Sequence, residues 1–201
     1  MKHELLLSKY PLSADTLQQY AQILETKGIE RGLIGPREIA RIWDRHIVNC
    51  ALIAELVPPS ASVIDIGSGA GLPGLVLAII RSDLSVTLIE PLLRRSEFLN
   101  ETIAELGLVN VQVLRERAEQ SKNLKADVVT ARAVAPLNRL LTWALPLMKQ
   151  DGQILAMKGA SAATEITEAK QQLKGYEAEI LQVGAEYADQ STSVVRVTCS
   201  Q

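Results

Sequence analysis

The chain has few of the residues that would mark a metal, disulfide or membrane protein. Its 201 residues include two cysteines, Cys50 and Cys199, far apart, and two histidines. No CxxC pair or Cys/His cluster has zinc-ligand spacing, so no metal is expected. The pattern reads as two buried thiols in a reducing cytosol. No apolar run approaches a membrane span, and Leu5-Leu6-Leu7 is too short for a secretory core. A cytoplasmic protein with no membrane partner is expected. Aromatics are only 3% of the chain, so aliphatic side chains must build the core. Charge of one sign is lacking too: 21 Lys+Arg face 23 Asp+Glu, for a net charge of −2. Any nucleic-acid surface must therefore be a local basic patch.

What is present is a pattern in two parts. Residues 1–57 read as helices only, an N-terminal helical extension. The first helix is expected near Ser13, a plausible N-cap. From Arg37 to Val57, apolar residues recur at Ile39, Ile42/Trp43, Ile47, Cys50, Ile53 and Val57, which predicts one helix with a buried stripe. Arg37, Arg41 and Arg45 fall on its opposite face.

Residues 58–201 read as one compact α/β unit. Strands are predicted at 62–66, 86–90, 111–114, 127–131 and 153–157, with helices at 72–81, 94–106, 137–148 and 162–173. Two final strands, 177–183 and 194–198, have no helix between them. They predict an antiparallel ending on an otherwise parallel sheet. The early strands are nearly continuous apolar runs, as in a mostly parallel seven-stranded sheet with helices on both faces. Ligands of such sheets bind beyond the carboxyl ends of the strands.

The first strand runs into Asp65-Ile66-Gly67-Ser68-Gly69-Ala70-Gly71-Leu72-Pro73-Gly74. The literal G-x-G-x-x-G from Gly69, with Glu90 about twenty residues on, suits a dinucleotide. Asp65 turns the reading: a carboxylate in the loop's pocket would repel a pyrophosphate but suit the ammonium of a methionine moiety. Glu90 can accept from two ribose hydroxyls of either ligand class, so it does not discriminate. A tight turn without ligand is the third reading, though four glycines in eight residues are more than a turn requires. S-adenosylmethionine is the favoured cofactor. A nicotinamide-dependent oxidoreductase is the alternative, and a non-catalytic RNA-binding protein with a vestigial pocket is another.

The string from Asp65 to Gly74 resembles the signature of the bacterial RsmG (GidB) family of 16S ribosomal RNA methyltransferases. Further matches follow in order: Trp43-Asp44-Arg45-His46-Ile47, Arg95 to Phe98-Leu99, Arg117-Ala118-Glu119, Ala131-Arg132-Ala133 and Met157-Lys158-Gly159. The chain departs from the family pattern at Arg31 to Arg37, at Val134 in place of a frequent Phe, and at Glu90 in place of a frequent Asp. The resemblance implies a class I S-adenosylmethionine-dependent methyltransferase, Rossmann-like, acting on N7 of a guanosine in the 530 loop of 16S rRNA. Its partner would be 16S rRNA or the assembled small subunit, and a monomer is expected. By resemblance, Gly67 and Leu72 join Asp65, Gly69 and Glu90 at the cofactor. Ala118 and Glu119 would hold the adenine, and Arg132 would touch cofactor and substrate. Arg37, Arg41, Arg45, Arg94, Arg95, Arg139 and Lys158 are candidate RNA contacts. His46 reads as a hydrogen-bonded core histidine. No acid or base is assigned to the chemistry, since guanine N7 carries a lone pair and no proton.

Overall fold

The computed structural model describes residues 2–121, 123–184 and 192–200. Seven strands form one sheet: β1 (Ser62–Ile66), β2 (Ser85–Ile89), β3 (Val111–Leu114), β4 (Ala126–Arg132), β5 (Met148–Lys158), β6 (Tyr176–Val183) and β7 (Thr192–Cys199). Their order is β3-β2-β1-β4-β5-β7-β6. The first five pair in parallel, and β7 lies antiparallel between β5 and β6. The strand order reverses between β1 and β4, which opens a crevice at their carboxyl ends. This is the expected class I Rossmann-like architecture.

Period-two alternation assigns the strand side chains to two cores. Val63, Val86 and Leu88 face one apolar cluster, while Ile64, Ile66 and Ile89 face the other. The first cluster is filled by α4 (Gly74–Ile80), all seven residues of which are buried. A helix that is apolar all round must be covered on both sides. The N-terminal extension supplies the outer cover, with α1 (Lys2–Lys9) and α2 (Ala14–Ile23) contributing Leu6, Leu17 and Tyr20. The second face carries α6 (Leu137–Ala144) and α7 (Ala162–Glu168), while α5 (Leu93–Leu106) packs its Phe98 and Leu99 into the first cluster.

Several boundaries differ from those expected. The segment predicted as one helix over 37–57 is a chain of short turns: a 3-10 turn at Pro36–Arg41, a π turn at Ile42–Val48, α3 (Asn49–Ala51) and a 3-10 turn at Leu52–Leu56. Arg41 breaks the helical path at φ −120°. Ile42, Ile47, Cys50, Ile53 and Val57 are buried as expected, but Ile39 is 46% exposed. The break has a visible cause. Glu38 bonds His46 eight residues on, whereas a straight α-helix would set them roughly 12 Å apart along its axis. The helix expected first, near Ser13, is the second, since α1 precedes it; Ser13 stands before α2, but its hydroxyl donates to the Ile79 carbonyl at 2.8 Å rather than capping. α6 stops at Ala144 because Pro146 cannot continue an α-helix, and β5 starts at Met148. α7 ends at Glu168, short of the predicted 173. Cys50 is a buried free thiol, but Cys199 is only half-buried. Among the described residues no helix is long and apolar enough to cross a membrane.

Candidate active site

The glycine loop leaves β1 at the crevice. Gly67 lies in the left-handed region at φ 66°, and a Cβ there would sit 2.9 Å from a Val134 methyl, so the loop after β4 closes directly onto it. That second loop turns sharply at Ala133, itself at φ 54°. At Gly74 a Cβ would come within 2.3 Å of Leu88 and 2.8 Å of the Asp65 carboxylate. This close approach lets the Gly74 N–H donate to Asp65 Oδ2 at 3.1 Å.

Asp65 does not stand where a ligand would meet it. Its side chain is fully enclosed beneath the loop, and it lines none of the cavities described below. Oδ1 is buried with no hydrogen-bond partner. Burial pushes the carboxyl up to about 7, against the opposing pull of hydrogen bonds from the loop. The carboxylate expected to meet a ligand ammonium, directly or through water, is thus not part of these cavity walls. Asp65 instead anchors the start of α4.

Glu90 does face the crevice. Its carboxylate is nearly fully buried, with Oε2 accepting from the Gly69 N–H at 3.0 Å and Oε1 from the Leu92 N–H at 3.0 Å. Each oxygen keeps a lone pair for a further donor. A cavity of about 400 Å³ opens over it, walled by Gly67, Ala118, Glu119, Val134 and Trp143 among others. Ala118 is buried and Glu119 exposed, at a short turn after β3. Arg139 lies over the Trp143 ring at 5.1 Å, and Arg95 approaches Glu90 to 3.9 Å. A second cavity of about 210 Å³ is lined by Gly69, Leu72, His46 and Arg132, and it shares Gly67, Arg95 and Ala133 with the first. A third, the open cleft of about 810 Å³, is lined by Arg45, Asn49, Arg132, Ala133 and Lys158.

Arg132 ends β4 between the small cavity and the cleft. One terminal nitrogen contacts Cys50 Sγ at 3.1 Å and the other His46 Nδ1 at 2.6 Å. His46 Nε2 in turn meets Glu38 Oε2 at 3.0 Å. Burial, and then the Arg132 charge, hold the imidazole below its usual range, while burial pushes the Cys50 thiol up. His46 is therefore the hydrogen-bonded, buried histidine expected, and it also lines the small cavity.

The predicted basic residues divide. Arg45 and Lys158 reach the cleft, and Arg95 and Arg139 the first cavity. Arg37, Arg41 and Arg94 are exposed but line none of the three. Lys158 is occupied: its Nζ is 2.7 Å from Glu165 and donates to the Ala135 carbonyl at 2.6 Å, which fixes the loop after β4. Tyr20 and Trp143 were not anticipated. The Tyr20 hydroxyl donates to the Ala70 carbonyl at 2.8 Å, tying α2 to the glycine loop. An aromatic at a helical position carries no sequence signal that separates this from core packing.

These residues fit a nucleoside-containing cofactor with an amino-acid end. A buried carboxylate with free lone pairs suits vicinal hydroxyls, and the adjoining glycine-walled cavity suits a short polar tail. The model of the GidB family, described as rRNA small subunit methyltransferase G, matches residues 13–193. A ribosomal RNA small subunit methyltransferase G from Thermobifida fusca is 56% identical over 185 residues, covering 90% of this chain and 78% of that one. Its counterpart from Renibacterium salmoninarum is 49% identical over 200 residues, covering 97% and 91%. Among solved structures, a precorrin-6y C5,15-methyltransferase from Geobacter metallireducens shares the fold at TM-score 0.57 and 14% identity, covering 84% of this chain and 91% of that one. The family match over residues 13–193 and this extent of identity place the chain in the GidB family, the ribosomal RNA small subunit methyltransferases G.

Proposed function

We propose that this chain transfers a methyl group from S-adenosylmethionine to N7 of a guanosine in the 530 loop of 16S rRNA. The observation that carries the reading is the common wall, Arg132 and Ala133, between the small cavity beside the glycine loop and the open cleft. A donor on one side and an acceptor on the other would meet there.

The cofactor, when bound, supplies an electrophilic methyl group on a sulfonium. Glu90, Ala118 and Glu119 would hold its nucleoside, and Gly67, Gly69 and Leu72 its amino-acid end. The protein's share of the chemistry is orientation and charge placement. Guanine N7 needs no deprotonation, and the groups at the common wall are an arginine and backbone, with the His46 imidazole on the small cavity's side. A base splayed from an RNA loop would enter the cleft. Arg45 in the cleft wall, Arg37 and Arg41 on the neighbouring turn, Arg95 and Arg139 in the wall of the first cavity, and the exposed Arg94 beside Arg95 at the start of α5 are the candidates to meet phosphates.

Small subunits or free 16S rRNA lacking the modification, incubated with the chain and labelled S-adenosylmethionine, test the reading. N7-methylguanosine should appear in the 530 loop, mapped by strand scission at the methylated base. Label elsewhere would overturn the site. Binding of NAD(H) with no response to S-adenosylmethionine would overturn the reaction class.

A further inference from the structure

We infer that His46, held by Glu38, is a positioning residue that aims Arg132 at the junction between donor cavity and acceptor cleft. The inference rests on the methyl-transfer reading above and adds a role for the N-terminal extension within it.

The hydrogen bonding permits one direction only. A guanidinium has five N–H donors and no acceptor. His46 Nδ1, 2.6 Å from an Arg132 nitrogen, must therefore be the acceptor. The ring proton then sits on Nε2 and is donated to Glu38 at 3.0 Å. The chain of donation runs Arg132 to His46 to Glu38, across β4, the π turn and the 3-10 turn. Cys50 Sγ takes the other Arg132 nitrogen from α3. The guanidinium is thus gripped at both ends by the extension, and Arg132 lines both spaces where reactants would meet. A histidine that merely filled the core would not need a carboxylate reached by breaking a helix.

Protonation would destroy the arrangement. Imidazolium has no lone pair at Nδ1, so an N–H would face the guanidinium and two cations would be in contact. The groups around His46 are few. Glu38 favours the cation; burial, Arg132 from β4 and Arg45 from the π turn of His46 itself oppose it. Arg95 from α5 lines the same cavity. Asp65 from β1 and Tyr20 from α2 lie farther in, where they act on Arg132 and Cys50. Because Asp65 also titrates at about 7, an acid limb in the wild-type rate does not by itself identify His46. Variants do.

The test is kcat and KM against pH for the full chain on small subunits with labelled S-adenosylmethionine, comparing wild type, His46→Phe, His46→Asn and Glu38→Gln. His46→Phe should lower kcat by about 10- to 100-fold, the scale of a misplaced reacting group, with a smaller change in KM for the donor. His46→Asn places Oδ1 where Nδ1 was and cannot be protonated near neutrality. It should recover part of the lost rate and show a weaker acid limb. Glu38→Gln keeps an acceptor for Nε2 but removes the charge that favours imidazolium, so the limb should move to lower pH. Wild-type kcat in His46→Phe, or an acid limb in His46→Asn identical to wild type, would overturn the inference. Should His46→Phe not fold, the His46→Asn and Glu38→Gln profiles still decide. Failure of the wild-type chain to methylate would overturn the proposed reaction and this inference together. Methylation by wild type with pH profiles unmoved in the variants would overturn this inference alone.

Discussion

A carboxyl group sealed under the glycine loop, with one oxygen bonded to the Gly74 N–H and the other unpartnered, couples the loop to protonation. In the unfolded chain Asp65 titrates near 3.8 and in the folded chain at about 7. Between those values the folded state binds the extra proton, so stability falls as pH rises from about 4 to about 7 and levels off on either side. At 1.36 kcal/mol per pKa unit, the contribution spans about 4 kcal/mol at most. Asp65→Asn, measured by urea unfolding at a series of pH values, should lose most of that slope and be more stable than wild type above pH 7. An unchanged slope would mean that another group carries it. The direction of Asp65 also explains why its burial was not legible. It shares the strand face of Val63, which looks into the cluster beneath α4. An aspartate at a strand's end reads the same in sequence whether it points past the strand or into the layer below.

Among elements, the βα alternation was legible because buried parallel strands are short apolar runs with glycine or proline between them, and five strands and the antiparallel close fall where expected. Glu90 was legible as well, since its distance from the loop follows from one helix and one strand. The turns between 36 and 56 were not. A mixture of i→i+3, i→i+4 and i→i+5 bonding averages to an ordinary helical period, so the apolar spacing hid the breaks. The pairing of Lys158, a candidate RNA contact, with Glu165 was not legible either, since the two meet across a loop, seven positions apart. The contact of α2 with the glycine loop was equally invisible, and it can be tested. Tyr20→Phe leaves the Ala70 carbonyl, on the small cavity's wall, without its donor. Leaving a buried acceptor unmade costs about 1–3 kcal/mol. The expected outcome is that loss in a urea titration, together with weaker S-adenosylmethionine binding by calorimetry. Stability lost with affinity intact would make Tyr20 a core residue only.

At the scale of the whole molecule, the division at residue 57 marks a change of architecture but not a change of core. Leu6, Leu17, Tyr20, Ile42 and Ile47 of the extension share one apolar cluster with Leu75, Leu77, Leu88 and Val128 of the sheet and its helix. Because α4 is buried on every side, residues 58–201 alone would expose its outer face to water. The chain should therefore unfold as one unit. Its two tryptophans make this measurable, because Trp43 lies in the extension and Trp143 on α6. In Trp143→Phe the fluorescence reports the extension, and in Trp43→Phe it reports the far face of the sheet. Each variant is compared with its own far-ultraviolet circular dichroism in urea. Within each, fluorescence and dichroism midpoints should coincide. A Trp43 transition that precedes the loss of secondary structure would make the extension a separately folding cover. In that case the grip of Glu38, His46 and Cys50 on Arg132 could be released without unfolding the sheet. Coincident midpoints tie that grip to the global stability of the fold, so that whatever keeps the sheet folded also keeps Arg132 aimed.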